Sequence, residues 1–208
     1  MAPRPIPIVV FSSGYGSNFQ AILDHIAART LDAKVLALIT DNPEAEAIAR
    51  AEKSGIPVHV FDSKNYPIRE EFDLAIKKTL DQLRPELVIL AGYMKIIRSK
   101  ELLSAYKYRI LNIHPSLLPA FKGTTVAQEE AFSYGCKVSG LTIHFVTDDV
   151  DGGPIVYQEA VDISDCLSAE DVRQKILERE HVAFSKAMGL FAEHTAKVEG
   201  RRVVFERK

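Results

Sequence analysis

Cysteine and long hydrophobic runs are both scarce in this chain, and each scarcity excludes a class of protein. Only two cysteines occur among the 208 residues, Cys136 and Cys166. Their spacing matches neither a zinc site nor a disulfide framework, so a reduced cytoplasmic environment is the simplest interpretation. No stretch approaches the roughly 18 consecutive apolar residues of a membrane-spanning helix. We therefore expect a cytoplasmic protein without a membrane anchor or a structural metal.

An excess of one charge is also missing. Lysine and arginine number 26 and aspartate and glutamate 28, which gives a formal net charge of -2. A surface that binds nucleic acid or an anionic membrane carries a clear positive excess, so neither partner is expected. Residues 1–7 are too few and too rich in proline for a signal peptide. The composition, 47% apolar and 26% charged, is that of an ordinary globular protein.

Short apolar runs alternate with helical patterns through the first two thirds of the chain. Apolar runs predict strands, and apolar residues at helical spacing predict helices. The alternation implies right-handed crossovers and a doubly wound, Rossmann-like α/β fold with a mostly parallel sheet. The predicted strands cover residues 6–11, 34–39, 58–61, 87–91 and 109–113, and the predicted helices residues 18–29, 43–52, 69–83 and 99–106.

The pattern changes after Gly135. Two long strand candidates, residues 137–147 and 155–163, are joined by a turn that is too short for a crossover helix. They are expected to pair antiparallel at the C-terminal edge of the sheet. A long amphipathic helix over residues 168–191 and a short strand over 202–206 complete the prediction. With no repeat or linker in the sequence, we expect a single domain spanning residues 1–208.

The loop Ser12-Ser13-Gly14-Tyr15-Gly16-Ser17-Asn18 follows the first strand. Its glycines allow a tight turn, and Ser17 and Asn18 are suited to capping the next helix and presenting N–H groups to an anion. This pattern predicts a phosphate site, although a plain turn with a cap remains an alternative. A dinucleotide site is the other alternative, and Asp41 would supply its acidic residue. Phe19, however, stands where that fingerprint needs its third glycine.

Asn112 and His114 leave the fifth predicted strand two residues apart, so their side chains should point to the same side. Pro115 favours an extended conformation at His114, which would hold the imidazole still. An amide donor beside an imidazole is what acyl transfer needs, because one group stabilises an oxyanion while the other moves protons. A purely structural Asn–His pair is the alternative interpretation.

The acidic turn at residues 147–154 is, by itself, typical of a solvated hairpin loop. Its spacing is a poor match to a calcium loop. It becomes functional only if Asp151 lies beside His114. His144 either faces that site or is a half-buried structural residue, and both possibilities stay open. No serine sits in a nucleophile elbow and neither cysteine has an evident base, so covalent catalysis is not expected.

Four segments resemble the glycinamide ribonucleotide formyltransferase family, in order and over the whole chain. They are Ser13-Gly14-Tyr15-Gly16-Ser17-Asn18, Leu90-Ala91-Gly92-Tyr93-Met94, Leu111-Asn112-Ile113-His114-Pro115-Ser116-Leu117-Leu118-Pro119 and Asp148-Asp149-Val150-Asp151-Gly152-Gly153-Pro154. The third and fourth segments together are highly specific for folate-dependent formyl transfer. The resemblance implies a reaction in which 10-formyltetrahydrofolate is a consumed co-substrate, glycinamide ribonucleotide is the acceptor and no metal takes part. Both partners are small molecules, and a monomer or homodimer is expected.

The resemblance also implies roles for individual residues. Asn112 would bind the formyl oxygen as it gains charge. His114 would help to bind this oxygen and would transfer protons, and Asp151 would orient His114. The substrate phosphate would contact Gly16, Ser17 and Asn18, and Glu180 would contact its amine or ribose. The residues expected to bind the folate are Arg69, Met94, Lys95, Ile96, Ile97, Asn112, Thr147, Asp148, Asp149 and Val150.

The chain departs from the family pattern at residues 120–125 and at Leu177, which stands where a polar phosphate contact is common. Lys122 or Lys175 is therefore an alternative phosphate contact.

Three other functions are alternatives to formylation of glycinamide ribonucleotide. A 10-formyltetrahydrofolate hydrolase would carry an extra N-terminal domain and a methionyl-tRNA formyltransferase a C-terminal RNA-binding domain, and the length of the chain leads us to expect neither. A non-catalytic module that binds a phosphate ligand is the third.

Overall fold

The computed structural model describes residues 5–207 and divides the chain into two compact units. The first unit runs up to Leu111 and the second begins at Asn112. The expectation of a single domain over residues 1–208 stays a prediction.

The first unit alternates strands and helices as the sequence predicts. Its elements are β1 (Ile6–Phe11), α1 (Ser17–Ala27), β2 (Ala33–Thr40), α2 (Ala47–Lys53), β3 (Val58–Val60), a 3₁₀ turn (Ser63–Asn65), α3 (Arg69–Leu83), β4 (Leu87–Leu90) and α4 (Lys100–Ala105). The strand β5 (Ile110–His114) crosses the boundary between the units. The predicted bounds of the first strand and of the third helix are those of the structure.

The strands of the first unit are ordered β3-β2-β1-β4, and the pairs β1–β2, β1–β4 and β2–β3 are all parallel. Their side chains form continuous apolar runs because both faces of the sheet are covered, and all four residues of β4 are buried. The carboxyl ends of β1, β2 and β4 therefore lie side by side. In a parallel α/β sheet this edge is where ligands bind.

The second unit contains α5 (Ala127–Tyr134), β6 (Val138–Phe145), β7 (Ile155–Asp162), α6 (Ala169–Glu193), β8 (His194–Glu199) and β9 (Arg202–Arg207). Its strands are ordered β6-β7-β9-β8, with β6–β7 and β8–β9 antiparallel. The single described β7–β9 pairing is parallel. The predicted class, a mostly parallel α/β sheet with antiparallel strands toward the C-terminal edge, is thus confirmed.

Several predicted boundaries were wrong. The second helix begins at Ala47, four residues after Pro43, because Asn42 first makes a turn in which its side-chain oxygen accepts the N–H of Glu44. The helix α5 was missed, since its eight residues carry only two buried side chains and give a weak periodic signal. The strand β8 was missed because buried and exposed residues alternate directly after a long helix. None of the helices in residues 5–207 is long and apolar enough to cross a membrane.

Gly140 is the position in β6 where an added side chain is expected to do the most damage. A Cβ there would lie 2.1 Å from the carbonyl oxygen of Glu159 and 2.8 Å from a methyl group of Leu117. Gly140→Ala should therefore lower the free energy of unfolding by about 1–3 kcal/mol, the usual loss for overpacking. Urea unfolding measures this difference.

Gly189→Ala is the matched control. Gly189 lies inside α6, and a Cβ added there would have nothing within 4 Å. The same substitution should there raise stability by up to about 1 kcal/mol, because alanine favours helix over glycine. Equal effects at the two positions would contradict the steric account of Gly140.

Candidate active site

Four polar side chains of the second unit form a cluster in which each lies against the next. Asn112 and His114 project from the end of β5, His144 from β6, and Asp151 from the turn after it. The amide nitrogen of Asn112 lies 3.3 Å from Nε2 of His144. That Nε2 lies 3.5 Å from Oδ1 of Asp151, and Nδ1 of His114 lies 3.5 Å from Oδ2 of the same carboxylate. Asp151 therefore lies beside His114, and His144 links Asn112 to Asp151, while the catalytic roles of Asn112, His114 and Asp151 stay a prediction.

Asp151 lies between the two histidines of the cluster, since each of its oxygens faces one imidazole. The backbone N–H of Gly123 also donates to Oδ2, at 3.2 Å. Burial by itself would raise the pKa of this carboxyl. The hydrogen bond from His144 and the charges of His114 and His144 outweigh burial and lower the pKa of Asp151 below its usual value. The carboxylate is therefore the stable form of Asp151 at neutral pH.

His114 is held between two oxygen acceptors. Its Nε2 lies 2.9 Å from the carbonyl oxygen of Phe121, and its Nδ1 faces Asp151. A neutral imidazole donates at only one nitrogen, whereas a protonated ring donates at both. The ring is 4% exposed, so its orientation is set by these two partners rather than by water. The arrangement is suited to a group that takes up and releases a proton.

Both partners of His114 have a backbone conformation that non-glycine residues rarely adopt. The φ angle is 56° at Phe121 and 50° at Asp151. Conformations of this kind cost on the order of 1–3 kcal/mol each and persist only where the surroundings impose them. Their occurrence on either side of one histidine supports a functional role for that histidine.

The loop that carries Phe121 is fixed by buried hydrogen bonds. Ser116 donates its hydroxyl to the carbonyl of Ala120 at 2.6 Å. Thr142 of β6 donates to the carbonyl of Ser116 at 2.7 Å and accepts the N–H of Leu118 at 3.0 Å. The loop is therefore tied to the strand that bears His144, and the carbonyl acceptor of His114 has a defined position.

His144 faces the site, which is one of the two possibilities that the sequence left open. Its Nδ1 lies 3.0 Å from the carbonyl oxygen of Phe145, and its ring is 1% exposed. If Nδ1 carries the proton, Nε2 accepts from the amide of Asn112 and orients it. If the ring is doubly protonated, Nε2 donates to Asp151 instead. A histidine within the fully buried run of β6 was the available signal, because buried polar residues are uncommon unless paired.

The acidic turn that contains Asp151 is shaped by the two glycines that follow this residue. A Cβ at Gly153 would lie 1.7 Å from the carbonyl oxygen of Phe145, and a Cβ at Gly152 would meet the carboxylate of Asp149. Lys122 donates to both oxygens of that carboxylate, at 2.7 and 2.8 Å. Four turn residues expected to bind the folate are half-buried or exposed and accessible to a ligand: Thr147, Asp148, Asp149 and Val150.

In the first unit, the loop of residues 12–18 has the tight turn that was predicted. Gly16, with a φ of 72°, is the residue before α1, and a Cβ there would lie 2.8 Å from Cβ of Ala47. The expectation that Ser17 or Asn18 caps the helix by its side chain was wrong, because the helix already begins at Ser17 and no side chain caps it. The first N–H groups of a helix have no partner within the helix, so this helix start is still suited to an anion.

The side chain of Asp41 is hydrogen-bonded to the same loop. It accepts a hydrogen bond of 2.5 Å from the hydroxyl of Ser13, and Lys95 lies 4.0 Å from its other oxygen. Its side chain is only 7% exposed. A dinucleotide site needs this carboxylate for a ribose, so the structure argues against that alternative.

Residues 94–97, which are expected to bind the folate, follow β4. Met94 is 67% exposed and Ile96 46%, whereas Ile97 is buried. Arg69 donates to the carbonyl of Ile96 at 2.6 Å, and its guanidinium lies 3.4 Å from the carboxylate of Asp73. Arg69 thus contacts the segment itself, and a further contact with a folate stays a prediction.

The remaining predicted residues lie elsewhere in the second unit. Glu180 is buried in α6. Lys175 is paired with Asp165 at 2.5 Å, and Lys122 with Asp149, so the two alternative phosphate contacts each have a carboxylate partner. Across residues 5–207, no group of three or more histidine, cysteine, aspartate or glutamate side chains is placed to hold a metal ion.

Comparison with known proteins identifies a family. The model of the formyl transferase family matches residues 6–188. The phosphoribosylglycinamide formyltransferase of Bacillus subtilis (strain 168) is 44% identical over 172 residues, which cover 83% of this chain and 87% of that protein. The trifunctional purine biosynthetic protein adenosine-3 of Gallus gallus is 37% identical over 93% of this chain. The chain spans only 19% of the length of that relative.

A solved structure gives the same result. The crystal structure of glycinamide ribonucleotide transformylase 1 from Symbiobacterium toebii superimposes with a TM-score of 0.91 and 44% sequence identity. The match covers 97% of this chain and 94% of that one.

Proposed function

The chain belongs to the formyl transferase family, and from that premise we propose that it formylates glycinamide ribonucleotide. In the proposed reaction, the formyl group of 10-formyltetrahydrofolate passes to the amine of N1-(5-phospho-D-ribosyl)glycinamide. The products are the N-formyl ribonucleotide and tetrahydrofolate, in de novo purine synthesis. Two relatives that this chain matches over most of their length are named phosphoribosylglycinamide formyltransferase, which supports glycinamide ribonucleotide as the acceptor.

The convergence of Asn112, His114 and Asp151 in the second unit carries the proposal. A phosphate-binding module without catalysis has no need for an amide, two imidazoles and a carboxylate in a series whose members each lie within 3.5 Å of the next. A half-buried carboxylate that stays ionised beside two imidazoles is costly to assemble, and perturbed groups of this kind cluster at functional sites. Catalysis is therefore the better explanation of this cluster.

Asn112 is assigned the role of oxyanion donor. As the amine nitrogen attacks the formyl carbon, the carbonyl π electrons move to the formyl oxygen and a tetrahedral oxyanion forms. Asn112 carries two N–H groups, and Nε2 of His144 can accept only one of them. The other is available for the oxyanion, and a preorganised donor of this kind stabilises the transition state more than the ground state.

His114 and Asp151 are assigned the proton transfers. The attacking amine must lose one proton, and N10 of the folate must gain one when its bond to the formyl carbon breaks and the oxyanion collapses. One imidazole that accepts the first proton and returns it balances the reaction without any other reactant. The carboxylate of Asp151 stabilises the imidazolium while the proton is held, and the carbonyl of Phe121 keeps the ring from turning. No covalent enzyme intermediate is needed.

Binding roles of the other residues remain part of the proposal. We assign the substrate phosphate to the turn and helix start formed by Gly16, Ser17 and Asn18, and the substrate amine or ribose to Glu180. We assign the pterin of the folate to residues 94–97, and the accessible apolar side chains of Met94 and Ile96 support this assignment. The proposed folate residues are Arg69, Met94, Lys95, Ile96, Ile97, Asn112, Thr147, Asp148, Asp149 and Val150.

The test is a reaction of the purified protein with both substrates. Formation of tetrahydrofolate and of the formylated ribonucleotide is followed separately, by absorbance and by mass spectrometry. The proposal expects both products in equal amounts, and neither when glycinamide ribonucleotide is left out.

Two results would contradict the proposal. Tetrahydrofolate released at the same rate without the ribonucleotide would indicate hydrolysis of the formyl folate. Binding of the ribonucleotide with no consumption of the folate would leave a ligand-binding module.

A further inference from the structure

The segment of residues 92–99, which follows β4, is held at its start by Ser13. The N–H of Ser13 donates to the carbonyl of Gly92 at 3.0 Å, and the N–H of Met94 donates to the hydroxyl oxygen of Ser13 at 2.9 Å. The same hydroxyl donates to Asp41 at 2.5 Å. The carbonyl of Ser13 accepts from the side chain of Asn42 at 3.1 Å. Every polar atom of Ser13 is thus used to join the carboxyl ends of β1, β2 and β4.

The other end of the segment is held by a different set of groups. The fully buried carboxylate of Asp73 in α3 accepts the N–H groups of Arg98 and Ser99, at 2.7 and 2.9 Å, through one oxygen. Arg69, which pairs with Asp73, donates to the carbonyl of Ile96. The backbone of residues 92–99 is therefore fixed from both sides, and none of these contacts requires a ligand.

A backbone fixed in this way presents Met94 and Ile96 to the solvent in a defined position. Two exposed apolar side chains on an immobilised backbone form a binding surface whose ordering entropy is lost on folding rather than on binding. Groups from α3 and from the loop after β1 together hold this short segment.

Ser13 differs from Asp73 in also being part of the loop of residues 12–18. Its hydroxyl joins this loop directly to the segment of residues 92–99, because it accepts the N–H of Met94. The same hydroxyl is held in place by its hydrogen bond to Asp41. A change at Ser13 must alter both segments. A change at Asp73 reaches only the segment of residues 92–99.

We propose that Ser13 is a positioning residue shared by the loop of residues 12–18 (the phosphate loop) and the segment of residues 92–99 (the pterin segment), so that its hydroxyl supports the binding of both substrates. This inference rests on the proposed function, since it uses the assignment of the two segments to the ribonucleotide and the folate. Asp73 and Arg69 position the pterin segment alone. Ser13 touches neither substrate and takes no part in the proton transfers.

Equilibrium binding of each substrate by itself tests the inference, measured by isothermal titration calorimetry on the full chain. Ser13→Ala should weaken glycinamide ribonucleotide and 10-formyltetrahydrofolate alike, each by roughly tenfold, because a hydrogen bond to a charged acceptor is lost. Asp73→Asn keeps an oxygen acceptor but loses the charge that holds Arg69. It should weaken only the folate, by a similar factor. Turnover at saturating substrates should fall by less than about threefold in both variants, because neither group takes part in general acid–base catalysis.

Two further variants separate positioning from a general loss of structure. Ser104→Ala removes an exposed hydroxyl in α4 and should change neither dissociation constant. Asp41→Asn keeps an acceptor for Ser13 without the charge, so it should weaken both substrates in the same direction as Ser13→Ala but by less. Thermal unfolding of each variant reports whether the fold is intact.

Ser13→Ala that leaves either substrate's dissociation constant unchanged would overturn the inference, and so would an Asp41→Asn variant that affects only one substrate. Failure of the proposed function looks different. Wild-type protein that forms no formylated product refutes that function, whereas active wild-type protein with an unaffected Ser13→Ala variant refutes only the role of Ser13.

Discussion

Asn112→Ala is expected to lower kcat about 10²–10³-fold, the usual loss when one oxyanion donor is removed. The fold should remain intact, because Asn112 is half-buried at the end of β5 and its described side-chain contact is with His144. Steady-state kinetics with both substrates at saturation measures the change, and circular dichroism checks the fold.

The physical reason lies in where the charge develops. The formyl oxygen is neutral in the bound folate and negative in the tetrahedral intermediate, so a fixed N–H donor acts mainly on the transition state. The loss should therefore appear in kcat, with a change in the KM for either substrate of less than about fivefold, the worth of one ordinary hydrogen bond.

Asn112→Asp is a second test of the N–H donor, and Asn65→Ala is the control. Asn112→Asp keeps the shape of the side chain but has no N–H, so it should be at least as damaging as alanine. Asn65→Ala changes an exposed residue of the 3₁₀ turn and should leave kcat unaltered. Turnover within twofold of wild type in Asn112→Ala would remove this residue from the mechanism.

Asp151→Asn is expected to lower kcat about 10²–10⁴-fold, the range spanned by general acid–base catalysis. The amide keeps the size of the carboxyl group but removes the negative charge that both His114 and His144 face. Because the pKa of Asp151 is lowered, its side chain in the wild-type protein is a carboxylate at every pH near neutrality. The loss should consequently appear across about pH 6–9 and not only at acidic pH.

The same substitution should also change the pH dependence of stability, with a sign set by the pKa of Asp151. Its folded-state pKa is lower than the ordinary value of 3.8, so its stabilising contribution is present above that value. The contribution is lost as the pH falls through the folded-state pKa. The difference in free energy of unfolding between wild type and Asp151→Asn should be largest at neutral pH and should shrink below about pH 4.

Urea unfolding at several pH values, alongside the rate profile, separates the two effects of Asp151→Asn. Asp32→Asn, which changes an exposed carboxylate between α1 and β2, is the control for loss of one negative charge. It should alter neither turnover nor the pH dependence of stability. A stability difference for Asp151→Asn that stays constant down to about pH 3 would show that the carboxylate gains nothing from the two histidines.

Much of the fold followed from local patterns. The bounds of β1 and α3 were predicted correctly, because a run of apolar residues between polar loops and a helical repeat ending before Pro85 are both visible within 15 residues. The antiparallel pair β6–β7 followed from a connection too short for a crossover. The helix α5 did not follow, because a short helix with few buried residues is stabilised by its tertiary packing rather than by its own pattern.

The candidate site divides in the same way. The sequence predicted Asn112, His114 and Asp151 as site residues, because Asn112 and His114 share a strand and the motif around Asp151 resembles that of a known family. Nothing in the sequence decided between the two interpretations of His144. That decision required the position of β6, since His144 contacts Asn112 at a separation of 32 positions in the sequence.

The sequence by itself therefore determined the α/β class, the order of the elements and the chemical types present at the strand ends. Only the tertiary structure decided which of those groups meet: His114 with the carbonyl of Phe121, Asp151 with His144, and Ser13 with Met94. The reason is physical. Periodicity and turn signals report the local backbone, whereas a hydrogen bond needs two atoms within about 3 Å, and over tens of residues that distance depends on every turn and strand register between them.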